Sequence, residues 1–429
     1  DPESFVDELE QELAVASEFL GGPYEQHVAR LRDKRFRRLL RHAVARSRFY
    51  RELYDGIEVE TCRLTDLPVV TKPAMMARYD DFVADPRLHR VGLREWLSDP
   101  SNLGQKYLGR FIPFQTSGTT GENAIVVYDR EAMDHVHAAL IARRARRDER
   151  GSSSPARSGR GGRPRGKVRS ATVVMAGGPY PAYTAASHMP RWHDLFVDHR
   201  IFSLTDPIDR IVAGLNDHQP ETLLSYPSLL EVLAREQLAG RLKLSFDSPR
   251  ATLSTASEPL SPTTREMARR AWGMEIHDTY GSSECMVMAR SCGSFDRMHV
   301  MTDLCILEVV DREHRPVPDG QLGEKILVTN LFNLVQPFIR YEVSDVTGYS
   351  TEPCDCGWPF PTLLRVEGRT DDIFYVDRPD GDHCEAIHPY LFLGPIIQLD
   401  EIREYQLVQT ARNEVTLTYD SRSALDWFF

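Results

Sequence analysis

A chain of 429 residues exceeds one ordinary hydrophobic core, so two or three domains are expected. Hydrophobic residues at 41% and charged residues at 27% describe a globular protein rather than a disordered or membrane-spanning one, and no apolar run approaches the ~18 residues a spanning helix needs. The net charge of -11 argues against a nucleic-acid-binding domain, and seven cysteines in so long a chain do not suggest a disulfide framework. The N-terminus, DPESFVDELEQELAV, is acidic and amphipathic, unlike a basic, apolar signal peptide, which makes the cytoplasm the expected location.

Residues 5–54 place apolar side chains three and four apart and are expected to be helical. Thr71 reads as the N-cap of a following helix, with Pro73 at its first position. A strand, a turn and a second strand follow around 111–128. Residues 143–170 are rich in Arg, Gly and Ser with no apolar period, the composition of a mobile surface loop; a phosphate- or RNA-binding arm is the sharper alternative. Helices are expected at 206–216, 227–239 and 261–272, between the β-like runs TVVMAG, TLLSY and RATLSTA. Such alternation predicts an α/β layered domain. From residue 300 the pattern turns β-rich, with VPDGQLGE as a turn and PDGD as the hairpin within DDIFYVDRPDGDHCEAI.

The stretch QTSGTTGENAIVVYD (115–129) holds a run of small hydroxyl residues and glycines between two apolar segments. Such a turn can aim successive backbone N–H groups at an anion, yet it is not a Walker A loop, because no lysine follows Gly121. Taken alone it is equally an ordinary hairpin turn. Three further segments bear on it: HDTYGSSE (277–284), PFIRYEVSDV (337–346) with Arg340 and Asp345, and VEGRTDDIFYV (366–376). Singly, Tyr280 could be a core aromatic, Glu284 a helix N-terminal acid and Asp345 a turn residue.

In this order and at these separations, the four segments resemble the core motifs of the adenylate-forming superfamily, and within it the phenylacetate–CoA ligase and coenzyme F390 synthetase group. The flanking runs RSRFYREL, LPVVTKPAM, SYPSLLEVLA and TASEPLSP have counterparts there, so the resemblance covers about residues 35–418. It implies an α/β fold: a large N-terminal layered domain with a β-rich subdomain over 1–368, then a hinge and a small α+β C-terminal domain over 369–429, expected to be incomplete in this chain. It implies that Thr116, Ser117, Gly118, Thr119, Thr120 and Gly121 cradle the ATP phosphates. Ser257, Glu258 and Pro259 would line the adenine side, with Tyr280 stacking on the base in the turn formed by Gly281, Ser282 and Ser283. Glu284 would help hold Mg²⁺, Asp345 would accept the ribose hydroxyls, and Arg369 would contact the nucleotide near a hinge at Asp371. Thr116, Glu284 and Arg369 are the expected catalytic residues.

The implied reaction is attack of a carboxylate on ATP, giving an acyl-adenylate and pyrophosphate, followed by transfer to the CoA thiol. Tyr180, Tyr183, Trp192, Tyr226 and Met175 would wall the acid pocket and lean toward an aromatic or cyclic acid, although core packing explains them equally well. Cys292, His299, Cys354 and Cys356 make a Cys₃His set suited to structural zinc, with counterparts in the resembling group; four independent residues are the alternative. Cys62, Cys285, Cys305 and Cys384 read as core thiols. Two departures stand out. No lysine follows Lys325, although the family places its adenylation lysine near the C-terminus, and residues 377–392 lack the family's Gly- and Asn-containing turn. An amine or carrier-protein thiol as acceptor, or a non-catalytic nucleotide-binding homologue, are therefore the alternatives. The expected partners are a small carboxylic acid and the acceptor, with a homodimer compatible and neither nucleic acid nor membrane expected.

Overall fold

The computed structural model describes residues 24–116, 123–138, 166–190, 193–292, 297–356, 358, 360–369, 374–377, 384–387 and 402–421. Of the sequence expectations, the helical reading of 5–23, loop residues 117–121, the bulk of the Arg/Gly/Ser segment, Trp192 and the hinge at Asp371 lie outside them.

Helix α1 (Tyr24–Arg46) buries Val28, Leu31, Phe36, Leu39, Leu40 and Ala43, one stripe at helical spacing. Arg35 falls within the stripe and stays there because its guanidinium donates to the Asp303 carbonyl at 2.7 Å. Ser47 caps α2 (Arg48–Leu53), and Thr71 caps α3 (Lys72–Ala77) by accepting from the Ala74 amide. Lys72 takes the first helical position, so Pro73 is second rather than first; its missing N–H costs nothing in either place. Helices α4 (Tyr79–Phe82) and α5 (Arg90–Ser98) complete this helical region. Strands β1 (Ile112–Gln115) and β2 (Ile125–Tyr128) form the expected antiparallel hairpin, and residues 130–138 (α6) are helical.

The centre of the molecule is an eight-stranded sheet. Its strands are β3 (Val168–Val174), β4 (Val197–Ser203), β5 (Thr222–Ser225), β6 (Thr252–Ala256), β7 (Ile276–Tyr280), β8 (Ala289–Ser291), β9 (Met298–Val300) and β14 (Thr362–Leu363), in the order β14-β9-β8-β7-β6-β5-β3-β4. Strands β3 to β7 pair in parallel; β8, β9 and β14 continue antiparallel. The parallel strands are connected through α7 (Pro181–Ser187), α8 (His193–Phe196), α9 (Ile208–His218), α10 (Pro227–Leu238) and α11 (Pro262–Trp272). The predicted helices at 206–216, 227–239 and 261–272 are thus present with small end shifts; Ser261 is the N-cap of α11 and Gly273 its left-handed C-cap. A second core forms where α9, α10 and α11 lay Leu215, Leu230, Leu233 and Ala268 on Leu223, Leu253 and Ile276 of the sheet. Each large aliphatic side chain buried there contributes about 1.5–3 kcal/mol.

The β-rich half contains a three-stranded sheet of β10 (Cys305–Val310), β11 (Lys325–Asn330) and β12 (Tyr341–Val343), with VPDGQLGE turning between the first two. Four short strands follow: β13 (Asp345–Val346) paired with β15 (Gly368–Arg369), and β16 (Phe374–Asp377) paired with β17 (Cys384–Ile387). The hairpin β18 (Ile402–Ala411)–β19 (Glu414–Ser421) ends the described chain. No helix among the described residues is long and apolar enough to cross a membrane.

Strand β3 has β4 on one side and β5 on the other, both parallel to it. The chain therefore reverses its winding direction between β3 and β5. In open α/β sheets the ligand crevice lies outside the carboxyl ends of the strands at such a point.

Candidate active site

The predicted phosphate hairpin is closed at its base by a pair of hydrogen bonds. Thr116 N donates to the Ala124 carbonyl at 3.0 Å, and Ala124 N donates to Thr116 Oγ1 at 3.0 Å. Thr116 thus shapes the loop mouth, with its hydroxyl proton still able to donate; Ser117, Gly118, Thr119, Thr120 and Gly121 lie outside the described residues. The hairpin rests on three fully buried amide side chains that the sequence reading missed. Gln336 bonds the Val127 amide at 2.8 Å and the Ile125 carbonyl, Asn333 donates to the Val127 carbonyl, and Asn330 donates to the Glu284 carbonyl at 2.8 Å. Gln336 and Asn333 satisfy backbone groups on the edge of β2, and Asn330 the Glu284 carbonyl, that would otherwise be buried unpaired. Three amides in TNLFNLVQP were the available signal.

Tyr128, the last residue of β2, ties the hairpin to the YGSSE turn: its hydroxyl donates to the Glu284 carbonyl and accepts from the Met286 amide at 3.3 Å. The turn itself is tight. Ser282 N donates to the Cys285 carbonyl, Cys285 N to Ser282 Oγ, and Met288 N to the Tyr280 carbonyl. A Cβ on Gly281 would meet the Met286 carbonyl oxygen at 2.1 Å, so only glycine fits. The Glu284 side chain is buried beside the Tyr341 hydroxyl; burial, and then the Glu284 charge, hold that phenol's pKa well above its ordinary value.

The nucleotide residues expected from distant segments meet. Tyr280 at the end of β7 donates its hydroxyl to Asp345 Oδ2 at 2.5 Å, and Asp345, 5% exposed, sits opposite Arg369 in the β13–β15 pair. Ser257 adopts φ +73, a left-handed backbone rare for serine and the kind of strain that collects at functional sites. The neighbouring Glu258 carboxylate accepts the Ser228 amide at 3.0 Å, at the N-terminus of α10, where a negative charge is favoured; Pro259 follows, exposed. One acid went unpredicted. Asp278, two residues before Tyr280, accepts from Thr255 Oγ1 at 3.0 Å, and burial pushes its carboxyl up to about 6.

On the acid side, the Met175 amide donates to the Tyr226 hydroxyl at 3.4 Å, and Tyr180 lies near enough to Tyr226 to perturb its ionisation. These residues surround the carboxyl ends of β3 and β5. Tyr183 instead faces a small cavity between α5 and α7, lined also by Trp96, Asn102, Gln105, Pro113 and His188.

Arg340, one of the motif residues, is not at the crevice. With φ +47 it pairs bidentately with Glu308 at 3.0 Å and donates to the Leu67 carbonyl, pinning the N-terminal region to β12. Cys62, Cys285 and Cys305 are buried free thiols, as expected; the Cys384 side chain lies outside the description.

Cys292, His299, Cys354 and Cys356 converge, with one ligand atom from each within 4.8 Å of the others. Cys292 Sγ lies 3.5 Å from Cys354 Sγ, and Cys356 Sγ 3.2 Å from His299 Nε2. His299 Nδ1 donates to the Phe360 carbonyl at 2.8 Å, which turns Nε2 toward the thiols, the tautomer a metal ligand needs. Three sulfurs and one oriented imidazole fit a closed tetrahedral zinc site.

Sequence and structure comparisons bear on this arrangement. Phenylacetate-coenzyme A ligase of Thermus thermophilus is 26% identical over 215 residues, 49% of this chain and 46% of that protein. Protein CapK of Staphylococcus aureus is 26% identical over 173 residues, 40% of this chain and 36% of that protein. The chain therefore spans less than half the length of either relative. Among solved structures, 2-hydroxyisobutyryl-CoA ligase in the postadenylation state, in complex with 2-HIB-AMP, shares the fold with a TM-score of 0.66 at 20% identity, over 94% of this chain and 80% of that one. The open conformation of the same ligase, in complex with 2-HIB-AMP and CoA, gives a TM-score of 0.61 over the same shares of the two chains. Residues 110–330 match the family described as AMP-binding enzyme, a span that contains the hairpin, the switch point and the YGSSE turn, and covers more than half of the chain. The chain belongs to the AMP-binding enzyme family.

Proposed function

We propose that this protein activates a carboxylic acid, aromatic or cyclic, with ATP and passes the acyl group to CoA. The observation that carries this reading is the contact of Tyr280 with Asp345 opposite Arg369, at the turn that Tyr128 ties to the hairpin. A carboxylate oxygen attacks the α-phosphorus of ATP, the bond to the bridging oxygen breaks, and pyrophosphate leaves. The thiol sulfur then attacks the acyl carbonyl and expels AMP. Catalysis of this kind is positioning plus neutralisation of phosphate charge. Thr116 to Gly121 would hold the β- and γ-phosphates, Glu284 a magnesium ion, Asp345 the ribose hydroxyls and Arg369 the nucleotide; Ser257, Glu258, Pro259 and Tyr280 would line the adenine slot. The boundary between the large domain (1–368) and the small one (369–429) would act as the hinge between the two half-reactions. Free thiols suit the reducing cytoplasm, where ATP and CoA are available.

Acid-dependent exchange of pyrophosphate into ATP across a panel of carboxylic acids tests the first half-reaction, and a following panel of CoA, amines and carrier-protein thiols tests the second. AMP binding without exchange for any acid would sink the enzyme reading. Cys292, His299, Cys354 and Cys356 would hold a structural zinc ion. Replacing Cys354 and Cys356 by serine is expected to lower the metal content from one equivalent to near zero and to cut stability by several kcal/mol. Unchanged metal content rules the ligand set out.

A further inference from the structure

Helix α7 has seven residues and no side-chain N-cap, too few to hold a fixed position alone, since isolated helices shorter than about 12 residues are marginal. It is gripped at one end by the hairpin and at the other by the first residue of α6, the helix that follows the hairpin. At its N-terminal side, Gln115 N, at the end of β1, donates to the Pro179 carbonyl at 2.7 Å. At its C-terminal side, Arg130 Nη1 donates to the His188 carbonyl at 3.2 Å and the Met189 carbonyl at 3.4 Å. Arg130 stands two residues past Tyr128, the end of β2. Its own place is set by Asp134, one turn along α6, whose Oδ1 lies 2.7 Å from Arg130 Nε and whose side chain is 1% exposed. Only a guanidinium can face a carboxylate along one edge and peptide carbonyls along the other. Burial, with Arg130 among the charges around them, lowers the pKa of His137 and His188.

We propose that Arg130 is a positioning residue for the acid substrate: with Gln115 it fixes α7, and with it Tyr180 at the crevice, to the hairpin that cradles the phosphates. This rests on the adenylation reading above. The acid carboxylate must meet the α-phosphorus within a few tenths of an ångström for reaction, so a common frame for both binding surfaces matters more than either alone.

The experiment compares wild type with Arg130→Lys in pyrophosphate exchange, using phenylacetate, benzoate, anthranilate and 2-hydroxyisobutyrate as probe acids. A lysine keeps the charge beside Asp134 but cannot also reach the two carbonyls. The KM for the acid is expected to rise about tenfold, the loss of one charge-assisted hydrogen bond, with the KM for ATP within about twofold. A purely structural role would lower the melting temperature and leave the two KM values in their wild-type ratio. An unchanged acid KM, or an equal rise in both KM values, overturns the proposal. A second variant, Arg130→Met with Asp134→Leu, removes both charges so that no lone carboxylate is left buried, and is expected to show the same acid-selective rise. If neither variant folds, Arg130 is a structural residue and the proposal fails. If wild type exchanges with none of the four acids, the adenylation reading fails for them and this inference falls with it.

Discussion

The two walls of the crevice are built on different principles. The nucleotide wall consists of strand ends locked by close contacts within and between strands: the glycine that lets Met286 approach, the Tyr280–Asp345 bond, and Asp345 in register with Arg369. The acid wall is a short, uncapped helix whose position is imposed from outside by Gln115 and Arg130. A site that must accept one invariant ligand and one variable ligand can be organised this way. On the proposed reading, the strand ends would be constrained by ATP, while the helix could change its aromatic face and remain clamped.

That contrast can be broken by experiment, and the largest effect is expected on the nucleotide wall. Gly281→Ala places a methyl group into the Met286 carbonyl, a backbone atom that cannot step aside, so the turn must open. Exchange activity is expected to fall at least about a thousandfold, with ~3 kcal/mol lost in chemical denaturation. A variant with near wild-type exchange would mean that the turn does not hold the nucleotide. Asp345→Asn comes next: losing the carboxylate that accepts from Tyr280 and is proposed to hold the ribose should raise the KM for ATP about tenfold to a hundredfold, with the KM for the acid little changed. Equal rises in both would show that the walls are one unit.

The smallest effect is a pH dependence of stability from the buried histidines around α7. Burial first, and then charges including Arg130, hold His137 down to about 3, and burial lowers His188, His193 and His199 as well. Each of these groups binds a proton more readily unfolded, near the ordinary value of about 6.5, than folded. The stability they contribute is therefore intact above that value and is lost progressively as the pH falls toward the folded pKa, at up to ~1.4 kcal/mol per pH unit for each histidine. Unfolding free energies measured at pH 7 and pH 5 should converge in part for His137→Phe. An unchanged difference would remove His137 from the account.

Much of the nucleotide wall could be read from sequence, because its parts are local. The run Tyr280-Gly281-Ser282-Ser283-Glu284 dictates its own tight turn, and Thr71 announces its cap. The converging Cys and His residues were visible as donor types, although only the antiparallel strands β8, β9 and β14 bring the two pairs together. Arg340 shows the limit of such reading: it lies in the right motif, yet a half-buried carboxylate 32 residues away captures it. Asn333 and Gln336 signalled only as amides within an apolar run, and Asp278 and Arg130 carried no local signal, since an amide, an acid or an arginine acquires a role only from the partner that burial supplies.

By itself, the sequence determined the layered α/β class, the hairpin and the Thr71 cap, all governed by periodicity and short-range backbone chemistry. Only the tertiary structure decided which of the expected site residues meet, where the winding reverses between β3 and β5, and how α7 is held. The reason is that hydrogen bonds between residues 58 to 287 positions apart depend on strand order and burial, which no short window of sequence encodes.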